Sequence, residues 1–301
     1  MSQSDENNDK KPEEMAAANE KQVSSMANTN RVFTGFSELD KITGGLQNYE
    51  LILIAGRGGM GLLPLVLNMA SHMTIRDRKS VLIFSLEMPR EQLAMRMMCA
   101  EGWIDQEEFR GEVSGVTAWV RMKETSARLI NSTLMFDDTP NISVEALCNK
   151  AREIKKTRGL NCIIIDSLRF LSDGEEKKTF CRREQINNIA HKLKALGRDL
   201  KVPIIVVSRL NSKIGNRISY RPALSDLKEE SGMEEVADLI AFLYREDYYY
   251  PESERPNITE LIIAKHRNGA TGTIELYYHK SHVRFTEIPT DFPQKLEVNK
   301  P

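Results

Sequence analysis

Glu50-Leu-Ile-Leu-Ile-Ala-Gly-Arg-Gly-Gly-Met-Gly-Leu-Leu-Pro64 decides the fold class of this 301-residue chain. The first half is a short, wholly apolar run, as a strand buried on both faces of a parallel sheet requires. The second half sets Gly56, Gly58, Gly59 and Gly61 within six residues and then opens a helical stretch. A glycine-rich turn between a buried strand and a helix is the setting of a phosphate-binding loop. Because its glycines lack Cβ atoms, the loop can curl the backbone N–H groups of Gly56, Arg57, Gly58, Gly59, Met60 and Gly61 round an anion, and the helix N-terminus adds partial positive charge. The complete pattern is GxxxxGK[ST]. Gly56 and Gly61 keep its spacing, but Leu62 and Leu63 stand where the lysine and the hydroxyl residue belong. The lysine that meets the β- and γ-phosphates is therefore missing, as is the hydroxyl that holds Mg2+. Loss of one preorganised donor to a developing charge costs roughly 2.7–4 kcal/mol. Pro64 removes a further N–H in the first helical turn, where its ring is tolerated.

Outward from this loop, Ser80-VLIF, Cys162-IIID and Pro203-IIVVS are further short apolar runs bounded by polar residues. The pattern predicts helices near 62–76, 89–101, 143–158 and 182–200. This βα alternation indicates an α/β fold, a mostly parallel twisted sheet with helices on both faces. Asp238-LIAFLY, Glu260-LIIAKH and Thr273-IELYYH follow one another without long helices between them. They read as extra, partly antiparallel strands near the C-terminus. Residues 1–30 are polar, with six acids and three bases, and are expected to be a flexible tail holding at most a short helix within Pro12–Met26. Residues 31–288 are expected to form one domain, followed by a C-terminal tail over 289–301.

At 41% hydrophobic and 28% charged the chain falls outside the disordered and fibrous classes. No apolar run approaches the roughly 18 residues of a membrane span, and no signal-peptide core opens the sequence. A cytoplasmic protein without membrane contact is the expectation. Cys99, Cys148, Cys162 and Cys181 have neither CxxC spacing nor histidine neighbours and read as idle thiols. The net charge of −1 does not exclude a nucleic-acid partner, because the bases are unevenly placed. Between Asn211 and Lys228, Lys213, Arg217, Arg221 and Lys228 face a single acid, Asp226.

Three positions carry chemistry of their own. Glu87 lies just past a buried strand, where open α/β sheets bind ligands, and reads either as a carboxylate that polarises a water or as a helix-start acid beside Pro89. Asp166 ends the run Cys162-Ile-Ile-Ile-Asp166, and an acid there faces a cation such as Mg2+ or caps the strand exit. Lys265 and Arg267 alternate about His266 on what reads as an edge strand, so they are either phosphate ligands or solvated bases, with His266 structural on the other face.

Taken together, these motifs resemble the C-terminal, RecA-like motor domain of DnaB-type replicative DNA helicases. Thr34-GFSELDKITGGLQ leads into the loop, and Phe84-SLEMP, Phe136-DDTPNIS, Cys162-IIIDSL, Ser208-RLN, Arg221-PALSDL, Tyr244-REDYYYPES and Ala264-KHRNGATGT follow in the family's order from about Thr34 to Phe285. Two of these segments, Phe84-SLEMP and Ala264-KHRNGATGT, argue against a recombinase or clock-type RecA relative. The resemblance implies a P-loop NTPase core, ATP and Mg2+, and a 5'-3' DNA helicase activity in DNA replication. It makes Glu87 the catalytic glutamate and Asp166 the metal-holding acid, and makes Lys265 and Arg267 groups presented to the nucleotide of the neighbouring subunit. It also makes Lys213, Arg217, Arg221 and Lys228 part of loops tracking single-stranded DNA in a ring.

This sequence departs from the family at nucleotide contacts. Besides Leu62 and Leu63, Ser167 and Arg169 replace an aromatic residue and a glutamine, Arg209 replaces the glutamine expected to sense the γ-phosphate, and Glu230 adds an acid beside Lys228. Weak or absent hydrolysis is the expectation. A chain deficient in its own pocket would still lend Lys265 and Arg267 to a competent neighbour, in a ring of itself or with a DnaB-type helicase. A non-enzymatic regulator of such a helicase is the alternative, as loader or inhibitor, with initiation or loader proteins as further partners. With only a polar tail before the domain, ring assembly is expected to be weak or partner-dependent.

Overall fold

Alternate residues of each central strand enter two different cores, which is why the apolar runs are continuous rather than alternating. Leu51, Leu53 and Ala55 face one core and Ile52 and Ile54 the other. The same division separates Ile163 and Ile165 from Cys162 and Ile164, and Ile204 and Val206 from Ile205 and Val207. A sheet with both faces covered is the parallel arrangement expected from the sequence. The computed structural model describes residues 31–109, 116–174, 182–210 and 220–288. The expected tails over 1–30 and 289–301, the short helix in Pro12–Met26, and Cys181, Lys213 and Arg217 lie outside them.

The strands are β1 (Arg31–Val32), β2 (Leu46–Gln47), β3 (Leu51–Gly56), β4 (Val81–Ser85), β5 (Leu134–Asp137), β6 (Cys162–Asp166), β7 (Ile204–Arg209), β8 (Leu239–Arg245), β9 (Ile258–His266), β10 (Gly272–His279) and β11 (Arg284–Glu287). β1 and β2 pair with each other, and the rest form one sheet in the order β11-β10-β9-β8-β3-β7-β6-β4-β5. From β8 through β5 the neighbours are parallel. β9, β10 and β11 join antiparallel.

The principal helices are α1 (Ser37–Thr43), α2 (Leu62–Ser71), α3 (Arg90–Gly102), α4 (Val116–Ile130), α5 (Val144–Arg158), α6 (Arg182–Leu200) and α7 (Ser231–Val236). α2 continues as a π-helical turn over His72–Arg76. α5 and α6 cover one face of the sheet through Leu147, Ala151, Ile189, Leu193 and Leu196. α2 and α3 cover the other through Leu65, Val66, Met69, Leu93 and Met97.

The four predicted helices and seven predicted strands are present. β9 differs in part from its reading as an edge strand: it lies between β8 and β10, but pairing with β10 stops at Ile263, so Lys265 pairs with β8 alone and Arg267 follows the strand. Cys99, Cys148 and Cys162 are buried and free. Burial pushes the first two thiols up to about 11 and Cys162 up to about 12. Among the described residues no helix is long and apolar enough to cross a membrane.

Candidate functional site

The carboxyl ends of β3, β4, β6 and β7 bring the predicted loop and acids together. Strand register does most of this work: Gly56 pairs with Arg209, Ser85 with Asp166, and Asp166 with Val207. The Leu210 N–H donates to the Gly56 carbonyl at 2.9 Å, which ties β7 to the root of the glycine loop. This edge is where open α/β sheets take ligands.

The loop turns through two left-handed glycines, Gly59 with φ +87° and Gly61 with φ +97°. Both are crowded as well: a Cβ on Gly59 would stand 2.9 Å from Tyr248 and one on Gly61 2.8 Å from Phe285. Gly58 has open space on that side. The Met60 N–H turns inward to the Arg57 carbonyl at 3.3 Å, and its side chain is buried. Among the described residues no acceptor meets the N–H groups of Gly58, Gly59 or Gly61, which fits them to an anion. Leu62 opens α2 and is buried, with a methyl folded back over Gly56; Leu63 packs on the core beneath the helix. The two leucines thus complete the hydrophobic side of the loop and offer phosphate no charge. Arg57 stacks its guanidinium 5.6 Å over the Tyr249 ring.

Glu87 follows β4, and its carboxylate meets the Arg209 guanidinium at 2.8 Å. Asp166 is buried at the end of β6. Burial, then the neighbouring Glu87 carboxylate, pushes its carboxyl up to about 6, while Arg209 and Arg96 pull it back. A carboxyl held in that balance favours a cation beside it. Mg2+ characteristically binds one or two carboxylates, waters and substrate phosphates, so Asp166 fits as its protein ligand, but no hydroxyl residue completes the set at position 63. Among the described residues no three His, Cys, Asp or Glu converge on a metal position of their own.

Lys265 and Arg267 do not join this group. Lys265 pairs with Ile240, three residues from the Leu243 level at which Gly56 sits. That is roughly 10 Å back along the strand and another roughly 10 Å sideways. Lys265 donates to the Glu234 and Glu235 carbonyls at 2.6 and 3.3 Å, and Arg267 to the Glu235 carbonyl at 2.6 Å, which closes the C-terminal end of α7. Burial and the adjacent Arg267 charge lower the Lys265 ammonium. His266 is buried against Gly269, its Nδ1 3.2 Å from the Ala270 carbonyl. Of the expected DNA contacts, Arg221 is tied to Glu260 and lies 5.6 Å over the Tyr244 ring, and Lys228 is exposed. Arg169 is exposed beside Phe170.

Two contributors, Arg245 and Arg96, escaped the motif reading, and Glu230 has a role that it did not give. Arg245, at the end of β8, is buried, donates to both oxygens of Asp247 at 3.0 Å and reaches the Gly59 carbonyl at 3.4 Å. A charge closing an apolar strand was the signal that exposed Asp166, and it applies equally to Arg245. Arg96, on α3, acts on Asp166 from a helix whose pattern gives no hint of it. Glu230 accepts from the Ser208 hydroxyl at the end of β7, so the added acid is bound to the sheet.

Comparison with known proteins bears on the family and the fold. The model of the DnaB-like helicase C terminal domain matches residues 31–287. The chain is 39% identical over 262 residues to the replicative DNA helicase DnaB of Geobacillus stearothermophilus, covering 87% of this chain and 57% of that protein. It is 40% identical over 259 residues to the replicative DNA helicase DnaC of Bacillus subtilis, covering 86% and 57%. It thus spans little over half the length of these relatives. Among solved structures, a DnaB-like replicative helicase described with its interactions with primase superposes with a TM-score of 0.83 at 33% identity, over 94% of this chain and 68% of that one.

Proposed function

Because this chain belongs to the DnaB-like helicase C-terminal domain family, we propose that it is a helicase-type motor subunit of DNA replication with impaired hydrolysis in its own pocket. It works in a ring, with itself or with a DnaB-type helicase, on single-stranded DNA. The carrying observation is the separation of the two half-sites. The glycine loop, Glu87 and Asp166 gather at the carboxyl ends of the strands, while Lys265 and Arg267 leave the sheet well away from them. Lys265 and Arg267 serve the pocket of a neighbouring subunit, and this chain's pocket awaits the same groups from the next.

Bound ATP supplies the γ-phosphoryl group, and its Mg2+ neutralises phosphate charge. The N–H groups of Gly58, Gly59 and Gly61 hold phosphate oxygens, Asp166 holds the metal, and Glu87 orients the attacking water. Hydrolysis is weak because Leu62 and Leu63 supply neither cation nor hydroxyl; before nucleotide binds, Glu87 is paired with Arg209. Lys213, Arg217, Arg221 and Lys228 contact the DNA backbone, a sequence-independent and salt-sensitive contact.

The test mixes this chain with a DnaB-type helicase whose own finger lysine and arginine are changed to alanine. Added wild-type chain restores ATP hydrolysis, and the Lys265→Ala, Arg267→Ala variant does not. Failure to associate, or an unchanged rate, refutes the trans role. A second reading, a regulator without hydrolysis such as a loader or inhibitor, is favoured by the apolar packing of Leu62 over Gly56. Leu62→Lys with Leu63→Thr separates the two when mixed with a DnaB-type helicase whose own pocket is inactivated and whose finger residues are intact: the motor reading requires the pair to raise steady-state hydrolysis, whereas an unchanged rate favours the regulator.

A further inference from the structure

The loss of a lysine at position 62 and the presence of an arginine at position 209 are neighbouring events in space. Arg209 pairs in register with Gly56, the first residue of the glycine loop, and the two strands are pinned there by the Leu210 N–H. Leu62 places an apolar side chain over the same glycine. One side of the loop has lost a cation, and the adjoining strand end supplies one.

The other cations described near the loop are engaged elsewhere. Arg245 is buried and spends its fork on Asp247, and Arg57 lies over Tyr249. Arg96, on α3, acts on Asp166 and on Tyr278. Arg209 is different: its side chain is 40% exposed, and among the described residues the ion pair with Glu87 is its one salt bridge. A single, half-exposed pair of this kind is weak, and a terminal phosphate carries more charge than a carboxylate and matches the planar fork in two-point contact.

We propose that Arg209 is the phosphate-binding cation of this site, replacing from β7 the lysine absent at position 62, and that it exchanges between Glu87 and the terminal phosphate of a nucleoside triphosphate. This rests on the reading of the pocket as a nucleotide site. The exchange has a direct consequence. Without nucleotide, Arg209 neutralises Glu87; with it, the guanidinium moves to phosphate and the carboxylate is released to face water. Glu87 and phosphate compete for one cation, so Glu87 is held in check until a triphosphate draws Arg209 away. A diphosphate, lacking the terminal group, gains much less from Arg209.

Binding of a non-hydrolysable ATP analogue and of ADP, followed by calorimetry at fixed salt, tests this with wild type, Arg209→Gln, Leu62→Lys and their double variant, and with Arg209→Lys and Glu87→Gln, the latter also in the Arg209→Gln protein. The expected result is asymmetric. Arg209→Gln weakens analogue binding about tenfold or more in the leucine background, and by less than about threefold in the Leu62→Lys background; ADP binding moves little in either. Arg209→Lys retains most of the affinity. Glu87→Gln removes the competitor and tightens analogue binding when Arg209 is present, with no change in the Arg209→Gln protein. Equal losses in both backgrounds, or no loss in the leucine background, overturn the replacement. Tightening by Glu87→Gln without Arg209 overturns the exchange. If wild type binds neither nucleotide, the nucleotide-site reading itself fails, and that result is distinct from the others. Thermal denaturation of each variant confirms that folding is not the variable.

Discussion

Asp247→Asn tests how the strand end behind the glycine loop is held. Asp247 and Arg245 are 8% and 5% exposed, and the carboxylate accepts from Arg245 Nε and Nη2 at 3.0–3.1 Å, from the Asn257 N–H at 3.1 Å and from Lys280 at 2.8 Å. Burial alone would raise the carboxyl, but the bonds from Lys280, Arg245 and the Asn257 N–H outweigh it and hold it below the usual range. Asparagine keeps the shape, removes the charge and turns an amide against the guanidinium. Removing one partner of a buried pair costs about 3–5 kcal/mol. Lys280 is 51% exposed and adds little of its own. The expected loss is therefore about 3 kcal/mol, a large share of the roughly 5–15 kcal/mol of a typical domain. Urea unfolding at pH 7 measures it. Arg245→Met in the same chain removes the stranded charge, and the double variant is expected to recover most of the loss. Because the folded carboxyl is held low, its contribution is complete above the ordinary value of 3.8 and disappears as pH falls through the depressed one. The difference between wild type and Asp247→Asn stays constant from about pH 5 to 8 and closes in stronger acid. A loss under about 1 kcal/mol, or strict additivity in the double variant, refutes the account of Arg245 as a buried charge balanced by Asp247.

Gly61→Ala forces a side chain into φ +97° and against Phe285, so thermal denaturation should register a loss of about 1–3 kcal/mol; a change within about 0.5 kcal/mol would show that the loop relaxes freely. The buried thiols Cys99, Cys148 and Cys162 should resist a water-soluble disulfide reagent at pH 8 in the native state and react on denaturation; rapid native labelling of any of the three contradicts their placement. Lys228→Ala should lower the slope of log affinity against log salt for single-stranded DNA by about 0.7, the value for one phosphate contact. An unchanged slope removes Lys228 from the DNA surface.

The strands and helices that escaped the sequence reading share a physical cause. β5 and β11 have four residues each and owe their existence to pairing with β4 and β10 rather than to composition. α1 has seven residues, and α4 buries Ala118 and Thr125 but leaves Val116, Trp119 and Ile130 exposed. Fully buried segments were legible because both faces demand apolar residues; half-buried ones were not, because their partners are distant in sequence. The same limit applies at the site. Motif spacing located the glycine loop, Glu87 and Asp166, but the Glu87–Arg209 pair joins residues more than a hundred positions apart.

The sequence alone determined that this is a glycine-loop α/β domain of helicase type, with Leu62 and Leu63 at the two positions that follow the GxxxxG spacing. That much follows from local pattern: which residues the strand-turn-helix unit contains, and at what spacing. Tertiary structure decided the rest. It placed Arg209 beside Gly56, turned Glu230 toward Ser208, and set Lys265 and Arg267 apart from the loop at the far end of β9. Strand order and register determine these relations through hydrogen bonding between segments far apart in the chain, and no local pattern encodes which distant residues will meet.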